Sequence, residues 1–176
     1  YRAILNAAGV DQMSVSEVAI KYDLTSLLNK DIDATLGYST NEPFKIQEQG
    51  KEANLIYPAD YGIRFYADTL FTTEKMIKEN PELVRKVVEA SIKCWKEAVN
   101  NPEQAVTYTL QYDDLLTHEH ETKMIMAVIP LVKQTDKPIG HIDREVLVAM
   151  QNLLLKQGFM KQVVDIDKVF TTEFLP

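Results

Sequence analysis

"IDATLGYSTNEPFKIQEQGKEANLIYP", residues 32–58, changes its periodicity twice, and the fold turns on how those changes are read. "IDATLGY" (32–38) is apolar and partly β-branched, which suits a strand. "EPFKIQEQG" then places Pro43 in a first helical turn, where a missing N–H costs nothing, and Gly50 where a helix stops. "ANLIYP" (53–58) returns to strand chemistry. Upstream, "EVAIKY" (17–22) alternates as a further strand, and "LTSLLNK" puts Leu24, Leu27 and Leu28 on one face of a short helix. The order is β-α-β-α-β, the pattern of an α/β fold with a mostly parallel sheet.

The turn inside that stretch carries more chemistry than turning requires. Ser39, Thr40 and Pro43 would suffice for the chain to reverse, yet Tyr38, Asn41 and Glu42 stand among them. In parallel sheets ligands sit beyond the carboxyl ends of the strands, at turns leading into helices. The turn occupies such a place.

Composition bounds the partners. Over 176 residues the chain is 45% hydrophobic and 26% charged, enough for one ordinary domain or two small lobes with a core. The net charge of -7 repels phosphate backbones, so no nucleic acid is expected as a partner. A single cysteine, Cys94, excludes an internal disulfide and a thiolate-cage zinc site, and its helical setting suits a buried small hydrophobe. No apolar run approaches the roughly 20 residues that span a bilayer. "YRAILNAAGV" opens with Ile4 and Leu5 ahead of Gly9, as a helix already under way and stopped by its glycine, so the chain is expected to be a piece of something longer.

After "YGIRFYADTLFTT", an extended stretch, nearly everything past Thr73 is helical. Asn80-Pro81 and Asn101-Pro102 each put a capping Asn before a first-turn proline. Leu83, Val87, Ala90, Ile92, Trp95 and Ala98 form an amphipathic stripe between them. Further helices are expected over 117–132 and 143–157, with Gly158 as terminator. His118 and His120 in "THEHE" stand two apart, so they diverge on a helix and read as a solvated helix start rather than a metal pair. His141 reads as a loop residue, and Asp113-Asp114 as a turn.

"DATLGYSTNEPFKIQEQG", "YPADYGIRFYADTLFTTEKMIKENPELVRKVVEASIKCWKEAVNNPEQAV" and "IGHIDREVLVAMQNLLLKQGFM" together resemble the NMT1/THI5-like family of substrate-binding proteins related to thiamin-pyrimidine synthesis. The resemblance implies a periplasmic-binding-protein-like fold, in which two α/β lobes close over a small-molecule ligand outside the cytoplasm. Against that pattern the chain resembles a C-terminal fragment: residues 1–57 as part of lobe 2, residues 58–66 as the hinge crossing, and residues 67–176 as the mostly helical return onto lobe 1. Members capture a ligand for an ABC transporter permease, or sense one for a receptor signalling domain of the histidine kinase or cyclic-nucleotide type. The ligand implied is a small nitrogen heterocycle such as a thiamin pyrimidine precursor, with no cofactor and no metal. A fragment of this kind leaves cleft surface open, so a homodimer of the piece is expected.

In the resemblance the 41–43 turn faces the cleft, where a carboxylate at Glu42 accepts N–H bonds and an amide at Asn41 both donates and accepts. Tyr61 and Gly62 face the same gap, offering a stacking surface and a close backbone approach. Gly62 is also the residue of the crossing with the widest backbone freedom, which makes it the expected hinge point. Helix capping competes with ligand contact at Asn41 and Glu42. Packing competes with stacking at Tyr38 and Tyr66. The pyrimidine-synthase relatives carry a cysteine-rich motif within the stretch matching "ADYGIRFY", which has no cysteine here. The chain also lacks a phosphate loop, a nucleophile elbow and a clustered acid/base set, so binding is expected rather than catalysis.

Overall fold

A computed structural model describes residues 1–19, 23–133 and 137–176. Its helices are α1 (Arg2–Ala7), α2 (Thr25–Leu28), α3 (Glu42–Glu48), α4 (Glu74–Glu79), α5 (Pro81–Asn100), α6 (Pro102–Thr109), α7 (His118–Val132) and α8 (Arg144–Lys156). Three 3-10 turns at Gln12–Ser14, Pro58–Tyr61 and Ile166–Lys168 complete the regular structure. The helix boundaries follow their punctuation. Gly9, Gly50 and Gly158 each take positive φ just past a helix end, the left-handed turn that glycine makes without a Cβ penalty. Thr73 and Thr117 cap α4 and α7 by accepting the backbone N–H of Met76 and of His120.

The expected strands are not strands here. Among the described residues none belongs to a ladder, and the segments at 32–38 and 53–58 exchange no backbone hydrogen bonds with each other. The last three residues of the expected 17–22 strand lie outside the described residues. The physical reason is that a strand exists only through its neighbour: apolar, β-branched sequence makes the backbone extended, but pairing partners make it a strand.

The helical half packs around α5, α6 and α7, which join in sequence and touch in pairs. Val106 of α6 and Ile92 of α5 are buried there. The carboxyl-terminal segment closes over α5: Phe174 is buried and the Arg85 guanidinium lies 5.4 Å from its ring centroid, a cation–π contact. A Cβ on Gly140 would come within 3.0 Å of Leu175 Cδ2, so that loop needs its glycine for close approach as well as for its φ of 89°. The buried Gln151 of α8 accepts the backbone N–H of Val164 at 2.7 Å, and Arg144 pairs with Asp167, so α8 holds the segment around the 166–168 turn at two points.

Three expectations change on this helix pair and its caps. The stripe read on α5 holds at Ile92, which is buried, and at the half-buried Ala98, but not before them: Val84, Val88 and Ser91 are half-buried, whereas Leu83 is 53% exposed and Val87, Ala90 and Trp95 are also exposed. Helix α5 is apolar on two faces, and only one is covered, so its hydrophobic period alone cannot tell them apart. Cys94 falls on the uncovered face and is exposed rather than buried. Asn80 and Asn101 stand at N-cap positions but make no side-chain cap bond; Asn101 Nδ2 donates instead to Glu97 Oε2 at 3.3 Å.

Candidate ligand-binding site

The 37–42 turn is built by a carboxylate folding back on its own chain. Glu42 Oε2 accepts the backbone N–H of Tyr38 at 2.5 Å, while the Tyr38 carbonyl accepts the N–H groups of Asn41 and Glu42. Gly37 makes room for this: a Cβ there would stand 2.9 Å from Glu42 Cγ and 3.0 Å from its Cβ and Oε2. Glu42 also begins α3, where a negative charge is favourable against the helix dipole. The ring of Tyr38 is 53% exposed at the mouth of the turn.

Asn41 sits at the N-cap of α3 yet makes no side-chain cap bond. Its Nδ2 donates to Glu42 Oε1 at 2.9 Å, and its Oδ1 lies 3.0 Å from Nε2 of His120. His120, only 8% exposed, reaches the other end of α3 as well, with Nδ1 3.0 Å from Glu48 Oε1. Lys123, one turn further along α7, approaches the same Glu48 oxygen at 3.4 Å and pairs with Glu119 at 2.7 Å. The hydrogen bond from His120 holds the Glu48 carboxyl below its ordinary value, against the opposing effect of burial, and Lys123 adds to the lowering. Lys123 is in turn raised, chiefly by its bond to Glu119. With Ile46 buried beneath, this polar chain fastens α3 to α7.

His120 is the residue that sequence reasoning missed. Its reading as part of a solvated helix start holds for His118, which is exposed and meets Glu103 at 2.5 Å, but not for His120. A signal existed: Thr117 caps α7, which puts His120 and Lys123 three apart on one face. Their partners Asn41 and Glu48 lie 79 and 72 residues from His120 in sequence, beyond any local pattern.

Tyr61 and Gly62 occupy a different corner. Tyr61 ends the Pro58–Tyr61 turn with its ring exposed, and Gly62 caps that turn at φ 72°, in the left-handed region. Gly62 lines a recess of about 350 Å³ against α8, together with Arg64, Asn152 and Lys156 and the apolar Ile63 and Leu153. The five candidate residues therefore form two groups: Tyr38, Asn41 and Glu42 on the turn tied to α7, and Tyr61 and Gly62 at the Pro58–Tyr61 turn, which packs on α1 and from which Gly62 lines the recess beside α8. Tyr66 is structural here: its hydroxyl accepts the backbone N–H of Asp143 at 2.8 Å, at the start of α8. His141, a loop residue as expected, lies 3.2 Å from Asp143, whose carboxyl is held below its ordinary value mainly by its bond to Lys137. Among the described residues no three His, Cys, Asp or Glu side chains gather to hold a metal ion. None of the described helices is long and apolar enough to cross a membrane.

The two turns present an acceptor, an amide and exposed aromatic rings. The chain is 27% identical over 181 residues to the riboflavin-binding protein RibY of Chloroflexus aurantiacus, across 99% of this chain and 51% of that protein. It is 22% identical over 178 residues to the formylaminopyrimidine-binding protein of Halalkalibacterium halodurans, across 97% of this chain and 54% of that one. The chain thus spans about half the length of the curated relatives it matches. The family model for NMT1/THI5-like proteins matches residues 1–105, more than half of the chain, and the protein belongs to the NMT1/THI5-like family.

Proposed function

We propose that this chain forms part of an extracytoplasmic solute-binding protein that captures a small nitrogen heterocycle and delivers it to an ABC transporter permease. The observation that carries the reading is the similarity, over nearly the whole chain, to two proteins named for binding riboflavin and a formylaminopyrimidine. Both ligands are flat, nitrogen-rich rings with N–H and carbonyl or imine edges, and such rings are recognised by stacking and by a few well-placed polar groups. Tyr38, Asn41 and Glu42 supply those groups on one turn; in this reading Tyr61 and Gly62, at their separate corner, reach the ligand only where closure of the two lobes brings the corners together. Glu42 already accepts two hydrogen bonds, and a carboxylate has lone pairs for more.

In this reading the chain is one part of a two-lobed, periplasmic-binding-type molecule, with residues 1–57 in the second lobe, 58–66 as the crossing and 67–176 returning onto the first. The surface supports it. The chain exposes 13549 Å², whereas a compact monomer of this mass exposes about 8,700 Å². That excess, with the bare stripe of Leu83 and Val87, fits a polypeptide that further protein covers.

Titration of the full-length protein with riboflavin and with a formylated aminopyrimidine, followed by calorimetry, tests the reading. Saturable one-site binding of either, weakened when Glu42 or Asn41 is replaced by alanine, is expected. Absence of binding by both would overturn it.

A further inference from the structure

We propose that His120 is the positioning residue of the ligand turn, a proton-dependent clasp on the Asn41 amide that makes ligand capture weaken as the pH rises. The ligand part of this inference rests on the reading of the Asn41–Glu42 turn as a contact surface; the clasp itself does not.

An amide has a donor end and an acceptor end, and here its orientation is fixed from outside. Glu42 Oε1 stands 2.9 Å from one end and, as a carboxylate, only accepts, so that end is Nδ2. The other end, Oδ1, must therefore face His120 Nε2 at 3.0 Å as an acceptor. Across the ring, Nδ1 faces a second acceptor, Glu48 Oε1, also at 3.0 Å. A neutral imidazole carries hydrogen on one nitrogen only, and the imidazolium carries it on both. Only the charged ring satisfies both neighbours.

The other charges around it are accounted for. From α3 the ring meets Glu48 directly and Glu42 through Asn41. From its own helix Lys123 shares Glu48, and Glu119 is engaged by Lys123. Glu103 of α6 is taken by His118. When the ring loses a proton, the remaining hydrogen belongs on Nδ1, where the carboxylate makes the stronger, charge-assisted bond. Nε2 is then a lone pair facing the lone pairs of Asn41 Oδ1. With the His120 ring buried, the half-buried amide relieves the clash by turning or swinging out, and either movement takes Nδ2 away from Glu42. One proton thus sets the order of both polar side chains of the turn, although His120 itself touches no ligand.

The test follows two signals in the full-length protein, across the range in which histidines titrate. In the wild type, the side-chain amide resonances of Asn41 should move with the same midpoint as the His120 ring. Affinity for riboflavin, or for a formylated aminopyrimidine if that is the probe that binds, should fall about three- to tenfold over the rise, the net worth of one ordinary hydrogen bond from an amide that is no longer held in place. In His120→Gln the affinity should become independent of pH over that range, with the helical circular dichroism unchanged. Asn41 resonances that stay still while the ring titrates would overturn the clasp. So would one pH profile shared by wild type and His120→Gln. If neither probe binds at any pH, the proposed function falls and the resonances alone decide the clasp.

Discussion

Glu42 closes the candidate turn on itself by accepting the Tyr38 backbone N–H at 2.5 Å, and it does so in space that only a glycine at position 37 leaves free. Both carboxylate oxygens are engaged within the turn, Oε2 by the Tyr38 N–H and Oε1 by Asn41 Nδ2, at the first residue of α3.

Gly37→Ala should therefore act through Glu42. The new methyl would press on Cγ, Cβ and Oε2 of that side chain, and two of these are not the free end of a flexible group. Displacing the carboxylate should cost about 1.5–3 kcal/mol, the scale of a lost charge-assisted hydrogen bond. In a double-mutant cycle with Glu42→Ala, read by urea unfolding, the second change should cost much less once the first is present. Simple additivity would show that Gly37 is there for another reason.

Acid should loosen the α3–α7 seam through Glu48. Its carboxyl is held below the ordinary 4.5, first by the bond from His120. A group with a lowered folded value stabilises fully above its unfolded value and loses that contribution as the pH falls through the folded one. Unfolding free energies measured at a series of pH values should decline below about pH 4.5. Glu48→Gln should be less stable at neutral pH and show a shallower decline in that acid window. An unchanged slope would remove Glu48 from the account.

The sequence was informative about helices because their signals are local. The proline at the start of α3, the glycine after α8 and the threonine before α7 each mark a boundary within a few residues of where it falls. It was less informative wherever a partner is distant. The residues at 32–38 and 53–58 have strand composition, but composition does not supply a neighbouring strand. The α5 stripe was legible at Ile92 and Ala98 but not at Leu83 and Val87, where the covered face runs through Val84 and Val88, because two apolar faces share one helix. Tyr38, Asn41 and Glu42 were legible as excess chemistry on a turn. His120 was not, since its burial comes from residues more than 70 positions away.

The bare face of α5 should make this 176-residue chain self-associate. Leu83, Val87 and Cys94 lie on one side of the helix, all exposed, and apolar patches of this kind are normally covered by protein. Light scattering of the isolated chain should show mass rising with concentration, and Leu83→Lys with Val87→Glu should shift it toward monomer. In the full-length protein the same pair should instead lower stability, by about 2–5 kcal/mol if both side chains are fully covered there. A pair of changes that is silent in both settings would mean that the face is simply solvated.

Gly62 allows the crossing itself to be tested. It holds φ 72° and ψ 11° at the end of the Pro58–Tyr61 turn, donates its N–H to Ala59 at 3.0 Å, and is followed by Ile63, which donates to Pro58 at 3.0 Å. A Cβ at this position meets nothing within 4 Å, so a side chain would crowd no neighbour and its whole cost would be backbone strain. Left-handed backbone costs an ordinary residue about 1–2 kcal/mol, with asparagine among the exceptions. Gly62→Val should therefore destabilise by about that amount and Gly62→Asn by less. Equal costs would show that the turn rearranges rather than strains. The proposed hinge makes a further demand on the full-length protein, because a residue that must leave this conformation as the lobes close needs freedom as well as tolerance. Gly62→Val should then reduce the ligand-dependent compaction seen by small-angle scattering; unchanged compaction with the expected loss of stability would make Gly62 a turn residue only and move the hinge elsewhere in residues 58–66.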